Sequence, residues 1–382
     1  MVIKNGFPSI LLLLFAITAG CGTQLQRPSV DSALVEAERV RQMELAVKER
    51  WEREQKLLRI SDRISAAGAE LCGEEIAFRA GFVLADRNSL PEENREIAVR
   101  ILKLVRDDPQ VTYVTPGLPA DTAGLKVGDI ILKVGDKKVS EIIPDAKSKV
   151  KPIYEIIKTN GKTPYQLEIL RFEETKPLTI KPVAVCKYPV ALSNDDKVNA
   201  FADGEKIGIT TGMLRFAKDD DELAFIVSHE IAHNALGHLS RMRGNQLAGG
   251  ALGILLDIGV AALGVNTGGA FTRAGMNAGS LVFSQDFELE ADYLGIYFAG
   301  RAGYDVTKAP DFFRRMSNEH PGTIKGNFFS THPSNPERTL AVESTIKELR
   351  HRIHAEEPLL PSRMPKVASE SKPEESKPSE RE

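Results

Sequence analysis

Between Asp220 and His233 the chain sets two imidazoles and a carboxylate into an otherwise apolar run: Asp220-Asp221-Glu222-Leu223-Ala224-Phe225-Ile226-Val227-Ser228-His229-Glu230-Ile231-Ala232-His233. The acidic start suits a helix N-terminus, where carboxylates meet the positive end of the dipole. Leu223, Phe225, Ile226 and Val227 then place the helix mostly in a core. On such a helix His229 and His233, four residues apart, leave the same face one turn apart. That spacing suits two nitrogen ligands around one tetrahedral zinc ion at about 2.0–2.1 Å. Glu230 is one position on, about 100° round the helix. A carboxylate there reaches a water at the metal without ligating the metal. His-Glu-x-x-His by itself is short enough to arise by chance, so a helix with two surface histidines stays open on this evidence alone.

A catalytic zinc takes three protein ligands. The sixth position after His233, where a third histidine would serve, is Leu239. His238 lies roughly 140° off the ligand face and reads as structural. Glu222 is on the ligand face but two turns away, about 10 Å along the axis. The third ligand must come from elsewhere, and Phe287-Glu288-Leu289-Glu290-Ala291-Asp292 supplies one. Glu288 and Asp292 are i and i+4 on one helical face, with Glu290 on the other side. Glu288 as ligand and Asp292 as acceptor for the second N–H of a ligand histidine form a self-consistent set.

His-Glu-x-x-His followed by Glu-x-Glu-Ala-Asp resembles the M48 peptidases. Further segments carry the resemblance. Val198-Asn199-Ala200-Phe201-Ala202-Asp203-Gly204 is similar to the family's substrate-edge strand. Ile207-Gly208-Ile209-Thr210-Thr211-Gly212-Met213-Leu214 is similar to the strand and turn leading to its active helix. Thr331-His332-Pro333, with Arg338 after it, is similar to its C-terminal His-Pro segment. The likeness spans about 150 residues, a domain's length. It implies a gluzincin-type α+β fold with one Zn2+ per chain, held by His229, His233 and Glu288, and Glu230 as general base. Asn199 and Ala200 would pair a substrate backbone as an extra strand. By the same analogy His332 takes an active-site role, gating the metal or donating to an oxyanion, with a helix cap or packing contact as the plain alternative.

The chain's 382 residues allow two or more domains, and its 42% hydrophobic fraction supports a sizeable core. With 50 basic against 53 acidic residues and 6% aromatics, nothing points to nucleic acid. Residues 1–20 read as an export signal: Lys4, an apolar run from Pro8 to Ala16, then Thr18-Ala19-Gly20-Cys21. Small residues ending on a cysteine resemble a bacterial lipobox. That resemblance implies a lipid on Cys21 and attachment to a membrane. Gly22 favours the outer membrane facing the periplasm. A plain secretory signal or an uncleaved anchor are the alternatives.

Residues 21–74 form a tether and a helical region. Leu34, Val40, Met43, Val47, Trp51, Leu57, Ile60 and Ile64 recur at spacings near three and four, predicting one long packing helix or a helical pair. Residues 75–185 change to short strand-like runs with turn glycines at 124, 128 and 135. The order Val111-Thr112-Tyr113-Val114, Ala123-Gly124-Leu125, Gly128-Asp129-Ile130-Ile131 resembles a mostly β PDZ domain of the kind appended to bacterial proteases. Gly81-Phe82-Val83-Leu84 is its candidate peptide-binding loop and strand. Such a fold binds a peptide by strand addition, or serves only as a spacer or lid.

Residues 186–355 hold the metal motifs, and 356–382, rich in Pro, Ser, Glu and Lys, read as disordered. With Cys21 lipidated, Cys72 and Cys186 remain as an even pair in an oxidising compartment, either bonded or two buried free thiols. The Gly- and Ala-rich segment Leu247–Phe271 reads first as a buried helix, ahead of a mobile lid or a membrane-facing hairpin. With the export signal, the resemblance to the M48 peptidases implies an endopeptidase acting on unfolded or misassembled envelope proteins. The alternative is a PDZ-based binding or chaperone-like lipoprotein with minor or gated proteolysis.

Overall fold

The computed structural model describes residues 29–142, 148–261, 267–281, 284–319, 321, 332 and 335–362. The leader with Cys21, and residues 363–382 of the tail, lie outside the described residues. Helix α1 (Ser32–Ala67) is one continuous element of 36 residues. In its first part, up to Gln42, Leu34, Val35 and Val40 are exposed. From Met43 on, the helical period brings Leu57, Ile60 and Ile64 to one buried stripe.

The next region is mostly strand. Its elements are β1 (Ile76–Arg79), β2 (Phe82–Ala85), α2 (Arg95–Leu102), β3 (Gln110–Val114), α3 (Pro119–Thr122), β4 (Ile130–Val134), β5 (Lys137–Lys138), α4 (Val150–Thr159), β6 (Tyr165–Arg171), β7 (Glu174–Ile180) and β8 (Val183–Cys186). The main sheet runs β2-β3-β4-β6-β7, all antiparallel, with β5 on β4. β6 alternates buried Tyr165, Leu167 and Ile169 with exposed Gln166 and Glu168, the period-2 signature of a strand covered on one face. Its core gathers Leu84, Val111, Leu125, Ile131, Ile153 and Ile169. The three turn glycines take positive φ, as their positions call for. The segment after β2 is filled by α2, whose amphipathic turns bury Ile97 and Ala98.

β1 and β8 pair antiparallel at the two ends of this region. Cys72, just before β1, and Cys186, at the end of β8, are joined by a disulfide with Cα atoms 5.7 Å apart.

The remaining described elements are mainly helical: β9 (Val190–Ser193), β10 (Ala200–Ala202), β11 (Ile207–Thr210), α5 (Thr211–Phe216), α6 (Asp220–Ala235), α7 (His238–Ala261), α8 (Ala270–Leu281), α9 (Ser284–Arg301), α10 (Ala309–Glu319) and α11 (Pro336–His354). A three-stranded sheet runs β10-β11-β9, with β10 antiparallel and β9 parallel to β11. α6 lies in the core against α9, burying Leu223, Phe225, Val227 and Ile231. The expected α+β order, an N-terminal helix, a mostly β domain and then a helical domain with a small sheet, is the one observed.

One segment departs from expectation. Of the stretch 247–271, the described residues 247–261 and 270–271 are helical, but not buried: Leu247, Leu252, Leu255 and Ile258 on α7 are exposed. The reason is geometric. α7 packs chiefly along α8, and a two-helix hairpin has a single seam. Apolar residues that run all round α7 therefore leave those off the seam uncovered. Among the described residues no helix is long and apolar enough to cross a membrane.

Candidate metal centre

Asp219 sets where α6 begins, its carboxylate accepting from the N–H groups of Asp221 and Glu222 at 3.1 Å each. Three turns on, His229 and His233 leave the same face, with their Nε2 atoms 3.0 Å apart. α9 runs alongside and brings Glu288 to them. Its carboxylate is 3.4 Å from His229 Nε2 and 3.3 Å from His233 Nε2. The close approach of the helices depends on Gly295, where an added Cβ would lie 3.2 Å from the His229 backbone. The same i, i+4 face carries Asp292, whose Oδ1 lies 2.9 Å from His229 Nδ1. Nδ1 of His229 thus faces Asp292 while Nε2 faces the centre.

His233 has a matching support. Its Nδ1 is 2.9 Å from Nδ1 of His238, whose Nε2 is 3.0 Å from Glu290 Oε2. Arg241 also donates to that Glu290 oxygen, at 2.6 Å. So His238 does not enter the centre, in line with its helical angle, and Glu290 points away from it. Glu222 stays two turns off, bound at 2.5 Å to Arg315 of α10.

His332 joins the group. Its Nδ1 is 2.9 Å from Glu288 Oε1 and 3.3 Å from His229 Nε2, and its Nε2 is 3.5 Å from Glu230 Oε1. Ligand atoms of His229, His233, Glu288 and His332 all lie within 4.8 Å of one another. Tetrahedral ligands at 2.0–2.1 Å stand about 3.3 Å apart, so the spacing of the first three matches that of a small divalent ion's coordination shell. Glu230 is buried beside them, and its Oε2 has no hydrogen-bond partner among the described residues. A buried carboxylate oxygen without a partner is costly unless a ligand or water meets it.

Arg338, at the start of α11 and 2% exposed, was legible in the sequence only as a neighbour of the His-Pro segment. It clamps both acids of α9: Nε and Nη2 each lie 2.7 Å from Asp292, and Nη1 lies 2.7 Å from Glu288. The charges then settle each group. Burial opposes ionisation of Glu288, but His332 and Arg338 outweigh it and hold the carboxyl well below its usual range. Burial works the other way on His233, which together with the neighbouring His229 and His332 overrides the pull of Glu288 and lowers the imidazole to about 3. His233 is therefore neutral, the state a metal ligand requires. His229 is raised to about 10 because Asp292 and Glu288 overcome its burial, so a metal binding there would displace its proton.

A cleft opens beside this group. One wall is β10 with Asn199 and Ala200, the other the apolar side chains of Met213, Phe225, Phe312, Phe313 and Met316. Asn199 accepts from Thr210 N at 3.1 Å and Asp203 donates to Lys206 O at 3.1 Å. By the alternation of an antiparallel ladder, the N–H and C=O of Ala200 and Ala202 point away from β11. The aromatic pair Phe312-Phe313 was not anticipated as a cleft wall. It sits on an amphipathic helix, and helical period cannot tell a wall from ordinary core.

The sequence profile of Peptidase family M48 matches residues 179–346, and that of a PDZ domain matches residues 110–168. The chain is 33% identical over 172 residues to mitochondrial metalloendopeptidase OMA1 of Arabidopsis thaliana, covering 44% of this chain and 34% of that one. It is 30% identical over 183 residues to the beta-barrel assembly-enhancing protease of Escherichia coli (strain K12), covering 44% and 35%. The OMA1 of Schizosaccharomyces pombe is 28% identical over 174 residues, covering 45% and 50%. The chain thus spans about a third of the length of the first two relatives. It carries a Peptidase family M48 domain, and a PDZ domain precedes it.

Proposed function

We propose that this protein is a zinc-dependent endopeptidase that hydrolyses unfolded or misassembled proteins of the cell envelope. The observation that carries this is the meeting of His229, His233 and Glu288 beside the unpartnered oxygen of Glu230, at the wall of a cleft edged by a strand. Three ligands of the N, N, O type suit zinc, which when bound supplies Lewis acidity to a carbonyl oxygen and lowers the pKa of a water. The chain's own residues do the rest. Ala200 holds an extended substrate through its outward N–H and C=O, with Asn199 alongside. Glu230 takes the proton of the attacking water at its open oxygen and passes it to the leaving amine. His332, through Nε2, donates to the developing oxyanion or, drawn in toward Glu288, closes the site. Asp292 and Arg338 keep His229 and Glu288 aimed and correctly charged. The apolar wall seats a large apolar side chain next to the scissile bond.

The same reading places the PDZ domain at 75–185, the peptidase domain at 186–355 and a lipid on Cys21, with attachment at the outer membrane facing the periplasm. The printed name of the Escherichia coli relative, an assembly-enhancing protease for beta-barrels, supports an envelope role in protein quality control. A second reading, gated or minor proteolysis behind a PDZ-based binding role, draws on His332 lying 2.9 Å from Glu288 within the ligand group.

The test is Glu230→Gln. Cleavage of an unfolded protein such as casein should fall by roughly 10²–10⁴-fold, while metal content measured by mass spectrometry stays that of wild type. Wild-type activity in the variant overturns the mechanism. Metal-loaded wild type that cleaves nothing until His332→Ala is introduced selects the gated reading.

A further inference from the structure

β2 is the end strand of the PDZ sheet, and among the described residues it pairs only with β3. Gly81 O accepts from Thr115 N at 2.8 Å and Val83 O accepts from Thr112 Oγ1 at 3.3 Å, so these two residues face β3. Phe82 and Leu84 therefore turn their backbone groups to the open edge, where strand addition would use them. They are not open. The hydroxyl of Tyr154, on α4, accepts from Leu84 N at 2.8 Å and donates to Phe82 O at 3.4 Å. Its ring lies against Phe82, with centroids 6.3 Å apart.

One phenol thus supplies the acceptor and the donor that the backbone of an incoming strand would supply. We propose that Tyr154 is a latch on the docking edge of β2: it takes the place of the backbone of an added strand, and an extended peptide binds there only after the phenol withdraws. Burial pushes the Tyr154 hydroxyl up to about 12, against the opposing pull of the Leu84 N–H. The group therefore stays neutral and keeps both its donor and its acceptor role at physiological pH.

The helix itself is anchored. Asp86, at the end of β2, accepts from Ser148 Oγ at 2.9 Å and from Lys149 N at 2.8 Å at the start of α4. Release thus calls for rotation of one side chain rather than departure of the helix, and the groove it leaves is floored by Phe82 and lined by α4. The occupant is an extended peptide with an apolar side chain that replaces the ring. Because only the unlatched fraction is competent, the apparent affinity of the edge is reduced by that fraction. This inference stands apart from the peptidase reading, since it uses no residue of the metal centre.

The experiment uses the full-length chain carrying Glu230→Gln, so that no probe is consumed. The probes are fluorescein-labelled hexapeptides with an apolar C-terminal residue, each as free acid and as amide, followed by fluorescence polarisation. Tyr154→Ala should bind at least about tenfold tighter than the parent, as removal of the latch predicts. Tyr154→Phe keeps the ring and its packing, so it should fold as the parent does. It should gain less affinity, but hydrogen exchange at the Leu84 amide should rise because that N–H has lost its acceptor. Equal affinity in parent and Tyr154→Ala, or binding by neither, overturns the latch. So does a Leu84 amide that exchanges equally in the parent and in Tyr154→Phe.

Discussion

Two strand edges set each other off, β10 beside the metal centre and β2 in the PDZ domain. At β10 the N–H and C=O of Ala200 turn away from β11, and Ala200 lines the cleft. At β2 the matching groups of Phe82 and Leu84 are taken by Tyr154. The two edges also differ in what stands behind them. The groups near β10 are fixed by fully buried charge pairs, Arg338 with Asp292 and Glu288. The groups near β2 are held by one neutral hydroxyl. A site that does chemistry needs its groups preorganised, and buried ion pairs supply that at the cost of desolvation. A site that regulates needs a contact weak enough to exchange, and neutral hydrogen bonds of about 1 kcal/mol suit it.

The largest effect expected from this contrast is at Arg338. Arg338→Met strips two buried carboxylates of the guanidinium that clamps them, and should cost roughly 3–5 kcal/mol in the metal-free protein. Tyr154→Phe should cost only about 0.5–1.5 kcal/mol. Urea unfolding of both variants measures the difference. If Arg338→Met is no more destabilised than Tyr154→Phe, the contrast between a rigid edge and an exchangeable one fails.

A middle-sized effect is expected at β10 itself. Proline is tolerated on an edge strand where the lost N–H does not face the neighbouring strand. Ala200→Pro should therefore fold, keep its metal and lose one substrate hydrogen bond, lowering kcat/KM for extended peptides roughly tenfold. Steady-state kinetics on a long and a minimal peptide would show it, with the long one hit harder. An unchanged kcat/KM would mean that β10 is not the edge that holds substrate.

Much of the centre was legible because helical period alone places His229 over His233 and Glu288 over Asp292. The period also set His238 and Glu222 aside, and the structure gives both of them other partners, Glu290 and Arg315. What period cannot give is the partner across the fold. Arg338 comes from another helix, and no spacing rule links it to Asp292. His238 was set aside as a ligand, yet its contact with the outer nitrogen of His233 depends on how α7 leaves α6 after the turn at Gly237. Tyr154 was hidden for the same reason, since a tyrosine on an amphipathic helix reads as ordinary packing. The α7–α8 hairpin misled in the opposite direction. Its composition suggested burial, but burial is decided by how many neighbours an element has, and composition does not report that.

The smallest effect concerns the start of α6, which sets the height of His229 and His233 in the core. Asp219 caps the helix and pairs with Lys308 at 2.9 Å. Partial burial pushes its pKa up, but Lys308 and the N–H groups of Asp221 and Glu222 outweigh this and hold it below the usual carboxylate range. A carboxyl whose folded pKa is depressed stabilises the fold above its unfolded pKa, and that contribution is lost as pH falls through the folded value. The window therefore lies below about pH 4, where the unfolded carboxyl takes up its proton first. Asp219→Ala should cost about 1 kcal/mol at neutral pH. Its stability should also fall less steeply than wild type's as pH drops below that window, because the group that gains a proton on unfolding is gone. Urea midpoints at pH 7 and near pH 3 read both effects. The β2 edge should not respond, since its latch is neutral throughout that range: if Asp219→Ala also changes Leu84 amide exchange, the two edges are coupled through the fold rather than independent.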